Sequence, residues 1–130
     1  MKTQLTLLAF IAVSACSLAK DVVRVETVRF DGKATSKEIE GSLKGYASVR
    51  YVVDAKAGQN LQVRLRPTKA DAYFDIMPPD DGRALHAGRN GDFWSGVLPT
   101  SGMYTINVYQ MRSAARRGAL AAWTIKISLE

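Results

Sequence analysis

Cysteine, histidine and proline are scarce in this chain, and each scarcity excludes something. Its 130 residues contain one cysteine, Cys16, so no intrachain disulfide can form and no Cys-type structural zinc site is possible. The single histidine, His86, lies within "ALHAG", read as strand, with no nucleophile or ligand partner nameable in the sequence. No serine occupies a nucleophile-elbow pattern. Asp80-Asp81-Gly82 follows Pro78-Pro79 and lacks calcium-loop spacing, so it reads as a turn. Asp75 is the only acid set in a strand beside large apolar residues, and alone it does not make an enzyme. Catalytic chemistry, cofactors and metals are therefore not expected.

Long apolar runs are also missing, except at the start. "MKTQLTLLAFIAVSACSLA" has Lys2, an apolar stretch and then small residues, the pattern of a secretory signal and too short for a membrane span. Ser17 and Ala19 fit cleavage after Ala19, giving a signal at 1–19 and one domain at 20–130. "VSAC" also fits a lipoprotein box that would place a lipid on Cys16. Against it, Val22, Val23 and Val25 begin a strand with no polar tether. Export to the periplasm is the reading taken, with an anchor through Cys16 as the alternative.

What the sequence does contain is period-two alternation. Leu61, Val63 and Leu65 alternate with Gln62, Arg64 and Arg66; Tyr104, Ile106 and Val108 alternate with Thr105, Asn107 and Tyr109. Val49–Val53 and Trp123–Leu129 repeat the pattern, and less regular strands fall near 22–30, 37–43, 72–77, 84–87 and 93–98. Gly, Asn, Asp and Pro clusters separate these runs. An all-β fold follows, an antiparallel β-sandwich of about eight to nine short strands. The helix-friendly piece "MRSAARRGALAA" allows a short helical turn near 112–117.

Basic residues outnumber acids, 18 to 12, for a formal net charge of +6. In an exported protein such a balance points to acidic clefts, anionic glycans or membrane surfaces rather than nucleic acid. Arg112 and Arg116 are four apart, on one side of any helical turn, with Arg117 alongside. Arginine presents a planar fork suited to carboxylates. The same residues also suit a solvated basic loop. Tyr46 follows Lys44-Gly45 at a loop tip, as a rim contact or an ordinary surface tyrosine. Ser101 and Gly102 form a turn, and Tyr104, in phase with Ile106, faces inward as a corner brace.

"GSLKGYASVRYVVDAKAGQNLQVRL", "YFDIMPP" and "LPTSGMYTINVYQMRSAARRG" together resemble the bacterial periplasmic inhibitors of g-type lysozyme, over about 30–129. The most specific part is "VYQMRSAARR", and "SGMY" is similar to a Ser-Gly-x-Tyr loop that recurs among bacterial lysozyme inhibitors. The resemblance implies a compact sandwich that binds a g-type lysozyme and protects peptidoglycan. It further implies that Ser101, Gly102 and Tyr104 enter the enzyme's acidic cleft. Arg112 and Arg116 would pair with acids there, and Tyr46 would pack at the edge. The chain is also similar to the sandwich modules C-terminal to secreted bacterial peptidases, which implies a glycan- or matrix-binding alternative. Those modules are usually joined to an enzyme, and here only the signal precedes the sandwich.

Overall fold

The computed structural model describes residues 22–80 and 82–130; the segment expected to be a signal, with Cys16, lies outside them. Among the described residues eight strands form in chain order: β1 (Val23–Thr27), β2 (Ser36–Lys44), β3 (Ser48–Ala55), β4 (Asn60–Lys69), β5 (Tyr73–Met77), β6 (Phe93–Val97), β7 (Gly102–Tyr109) and β8 (Leu120–Leu129). A 3-10 turn, Gly88–Asn90, precedes β6, and a five-residue helical turn α1 (Arg112–Arg116) joins β7 to β8.

The strands build two four-stranded sheets, ordered β1-β3-β7-β5 and β2-β8-β4-β6. Odd strands make one sheet and even strands the other. Every connection between consecutive strands thus crosses from sheet to sheet, and no strand pairs with its neighbour in sequence. The turn clusters seen in the sequence are arches over the ends of a sandwich.

The expected fold class holds, with two local differences. β1 runs parallel to β3, with Val23 opposite Ser48 and Thr27 opposite Val52, while the other ladders are antiparallel. Parallel entry is possible because the chain visits β2, in the other sheet, between the two strands. The strand expected at 84–87 does not form. Only His86 bridges to Ile76, since the prolines at 78–79 and the turn at 79–80 return the chain for one pairing before the 3-10 turn leads it away.

Alternation decides which side chains face inward. In β8, Ala121, Trp123, Ile125, Ile127 and Leu129 are buried, and in β4, Leu61, Val63 and Leu65. From the facing sheet come Val49, Tyr51, Val53, Phe74, Ile76, Tyr104, Ile106 and Val108. Trp123 donates its indole N–H to the Tyr51 hydroxyl at 3.2 Å, joining the two layers and satisfying a buried polar pair. Gly41 makes room for them: a Cβ there would lie 2.7 Å from the Trp123 ring and the Tyr51 oxygen. At the edge, Arg24 pairs with Glu26 at 2.9 Å and donates to the Ser42 carbonyl, which ties β1 to β2 of the other sheet.

Candidate functional site

α1 is short but well terminated. Met111 leads into it with extended backbone, and its carbonyl accepts from Ala115 N–H at 2.9 Å. Ala115 is buried and anchors the turn to the sandwich. At the far end, Gly118 N–H donates to Ala115 O and Ala119 N–H to Ala114 O. Gly118 has φ +69. This is the paired C-terminal bonding that a glycine after a helix permits. It fixes the direction in which "RSAARRG" projects. Arg112 and Arg116 are both exposed and one helical turn apart on the same side. Among the described residues neither forms an ion pair, the one such pair being Arg24–Glu26. Arg117 instead turns back to donate to Ser113 O at 3.3 Å.

The arch between β2 and β3 stands beside α1. Gly45 has φ +63, donates its N–H to Ala119 O at 3.0 Å, and places its Cα so that a Cβ would be 3.5 Å from Ala115 O. Tyr46 next to it is 52% exposed. One residue joins the two segments from below. Gln110, 6% exposed, donates its side-chain amide to Ala119 O at 2.7 Å and to Gly45 O at 3.4 Å. Its Oε1 is buried without a partner. The sequence reading missed Gln110, although it continues the inward phase of Tyr104, Ile106 and Val108 as a polar residue. Tyr46, Met111, which precedes α1, and Leu120, which opens β8, are exposed large hydrophobic side chains at the same end. Aromatic, methionine and arginine side chains together are the composition of protein–protein contact cores.

The Ser-Gly-x-Tyr loop lies elsewhere. β7 pairs with β3 from Gly102, opposite Ala55, to Val108, opposite Val49. An eight-residue strand spans roughly 23 Å at about 3.3 Å per residue. Ser101 and Gly102 therefore sit at one end of the sandwich, and Tyr46, Arg112 and Arg116 at the other. The structure gathers the last three and does not bring the first two to them.

The serine end is firmly built. Buried Tyr104 donates its hydroxyl to Thr100 O at 2.6 Å, and the Ser101 hydroxyl oxygen accepts from Ala57 N–H at 2.9 Å. Gly102 has φ +143, and a Cβ would strike Pro79 at 2.7 Å. The ends also differ in charge. Lys44, Lys69, Arg112, Arg116 and Arg117 stand at the arginine end with Asp71; at the serine end Arg29, Lys33, Lys37 and Lys56 are interspersed with Asp31, Asp54, Asp80 and Glu130. The arginine end is the more basic of the two and the better match for an acidic surface.

The remaining candidates take structural places. His86 stacks on Phe74 with centroids 4.3 Å apart, and its Nε2 is 2.9 Å from Gly91 O. Asp75 accepts from Gly88 N–H at 2.7 Å and from the Tyr109 hydroxyl at 3.0 Å, pinning the 3-10 turn to the sheet. Burial first, then the adjacent Asp75 charge, pushes the Tyr109 hydroxyl up to about 12. Asp80 accepts from Gly82 N–H, as a turn-forming aspartate does. Among the described residues no three His, Cys, Asp or Glu side chains converge as a metal site, and no helix is long and apolar enough to cross a membrane.

No family model matches the chain. It is 28% identical over 126 residues, 95% of its length and 92% of the relative's, to an inhibitor of g-type lysozyme from Escherichia coli strain K12. The pre-peptidase C-terminal domain of a Bacillus anthracis collagenase shares the fold, with a TM-score of 0.53 at 13% identity, covering 88% of this chain and all of that one. A solved periplasmic inhibitor of g-type lysozyme from Aeromonas hydrophila superposes with a TM-score of 0.78 at 33% identity, covering 85% of this chain and 100% of that protein. Both inhibitors are proteins that block an enzyme and are not enzymes themselves. With that identity over the whole of the Aeromonas protein, the chain belongs to the family of periplasmic inhibitors of g-type lysozyme.

Proposed function

We propose that this chain is exported to the periplasm and inhibits a g-type lysozyme there, protecting peptidoglycan. The observation that carries the reading is the convergence of Tyr46, Arg112 and Arg116 on one end of the sandwich, held by Gly45, Gln110 and Gly118. A glycoside hydrolase works with carboxylates, so its cleft is acidic. Two guanidinium groups on one side of a short helical turn meet such acids as planar forks. Tyr46 and Met111 supply the apolar contact that excludes water around them. Because the turn is already capped and tethered, little ordering remains for association.

Ser101, Gly102 and Tyr104 support a second contact mode. The Ser101 oxygen already accepts one hydrogen bond, which leaves its O–H to donate to a carboxyl. Tyr104 would act as the brace and Gly102 as the bend, with neither touching the enzyme. The separation of the two ends makes simultaneous use of both in a single cleft geometrically demanding. The arginine end is preferred because it carries the matching charge.

The test is a lysis assay in which g-type and c-type lysozymes are each titrated with the purified protein. Protection against the g-type enzyme is expected; protection against neither would overturn the inhibitor reading. The sandwich-module alternative predicts tight retention on purified peptidoglycan with no lysozyme present. The same reading takes 1–19 as the export signal and 20–130 as one domain. The mass of the exported protein should correspond to a chain starting at Lys20, whereas a lipid on Cys16 would show as retention of Cys16 with added acyl mass.

A further inference from the structure

The outer face of the even-numbered sheet carries a feature that the lysozyme reading does not use. Register sets Arg64 of β4 directly opposite Lys126 of β8, and both point outward and are exposed. Like charges facing each other across a ladder destabilise the pairing. Arg66, two residues along β4, adds a third cation on the same face. Among the described residues none of the three forms an ion pair. Glu38 lies opposite Lys126 on its other side and makes no ion pair with it. On the far flank, Phe93 of β6 is opposite Arg64. The Arg64 guanidinium carbon sits 4.4 Å from the Phe93 ring centroid, which holds the fork in place while its edge stays open. Arg64, Arg66, Lys126 and Phe93, with Gln62 and Ser128, line a groove of about 270 Å³, just under the ~300–1,000 Å³ typical of small-ligand pockets.

We propose that this groove, formed by Arg64, Arg66, Lys126, Phe93, Gln62 and Ser128, binds an anionic saccharide unit, a sugar carrying a carboxylate or a phosphate. The cations neutralise the acid group and relieve the repulsion between Arg64 and Lys126. Gln62 and Ser128 each offer a donor and an acceptor, which matches sugar hydroxyls better than it matches a bare anion. The exposed ring of Phe93 gives an apolar surface beside them. The size fits one sugar residue or the end of a chain. The site is separate from α1 and stands whether or not the chain inhibits lysozyme.

The experiment is a titration of the isotope-labelled, exported protein followed by amide and arginine side-chain resonances. The probes are tetragalacturonate, glucose 6-phosphate, neutral maltotetraose and inorganic phosphate. Saturable shifts centred on Gln62, Arg64, Phe93 and Lys126 are expected with at least one acidic sugar, and none with maltotetraose. Which acidic sugar binds distinguishes carboxylate from phosphate. The Arg64→Gln/Lys126→Gln variant should bind at least about tenfold more weakly, about 1.4 kcal/mol. The charge-retaining Arg64→Lys/Lys126→Arg variant should recover part of the loss. Arg112→Ala/Arg116→Ala should bind the sugar as the unaltered chain does, and Arg64→Gln/Lys126→Gln should inhibit lysozyme as the unaltered chain does. The proposal is overturned by no saturable shift with either acidic sugar or by inorganic phosphate binding as tightly as both. Shifts centred on α1, or undiminished binding by the folded Arg64→Gln/Lys126→Gln variant, overturn it equally.

Discussion

The side-chain amide of Gln110 donates to the carbonyl of Ala119 at 2.7 Å, across the base of the loop that holds α1. The same nitrogen reaches Gly45 O, and Gly45 N–H closes the set on Ala119 O. One buried amide thus holds the arch bearing Tyr46 in register with the turn bearing Arg112 and Arg116. Burying an amide inside a β-sandwich is unfavourable unless its hydrogen bonds are made, and here both donor bonds go to backbone carbonyls.

Gln110→Leu removes this tether while keeping the volume. A loss of about 1–3 kcal/mol is expected by urea denaturation, the scale for withdrawing a buried donor. Lysozyme inhibition should weaken more than stability alone explains, because the Tyr46 arch and α1 are no longer held together. Unchanged inhibition by the folded variant would show that the tether is only structural.

Tyr104→Phe separates the two ends. It deletes the donor to Thr100 O, a 2.6 Å bond in the serine loop, and should cost about 1 kcal/mol, the usual net value of such a bond. Inhibition should stay within about twofold, well under the tenfold that 1.4 kcal/mol represents, since the arginine end is untouched. A parallel titration of lysozyme with both proteins measures it.

Gly41→Ala tests the core. The added methyl lies 2.7 Å from Trp123 and the Tyr51 hydroxyl, which are both buried and bonded to each other. Neither ring can retreat, so a loss of about 1–3 kcal/mol is expected from overpacking, read as a lower thermal midpoint.

Alkaline pH should loosen the fold in a defined direction. The Tyr109 hydroxyl is pushed up to about 12 by burial and by Asp75, and burial also raises that of Tyr51. The unfolded chain releases these protons near pH 10, while the native state retains them. The native state therefore binds more protons between about pH 10 and 12. Stability is full below pH 10 and falls as pH rises toward 12. Tyr109→Phe should flatten part of that decline in urea melts at stepped pH.

Strand content was legible because burial alternates with period two wherever a strand has one face in the core, as in Leu61–Val63–Leu65 and Trp123–Ile125–Ile127. The inward turn of Tyr104 followed from the same phase. Strand partners were not legible, since every arch changes sheet and pairing rests on contacts remote in sequence. The parallel union of β1 with β3 is one such case. The site was legible residue by residue but not as a place. Ser101 and Arg112 are close in sequence, yet the strand between them carries them to opposite ends. Gln110 left a faint signal, a polar residue in a buried phase. The Arg64–Lys126 pairing left none, because it depends on the register of two strands far apart in the chain.

The central claim is that Arg112 and Arg116 carry the contact with lysozyme. Its most direct measurement is calorimetric binding of a g-type lysozyme to the unaltered chain and to Arg112→Ala/Arg116→Ala, with the fold of the variant checked by its thermal midpoint. The double variant should lose at least about 2 kcal/mol, the lower end for a desolvated charge pair stripped of one partner, and show a weaker dependence on salt. Equal affinity for the folded double variant, with loss appearing instead in Ser101→Ala, would contradict it and move the contact to the serine end.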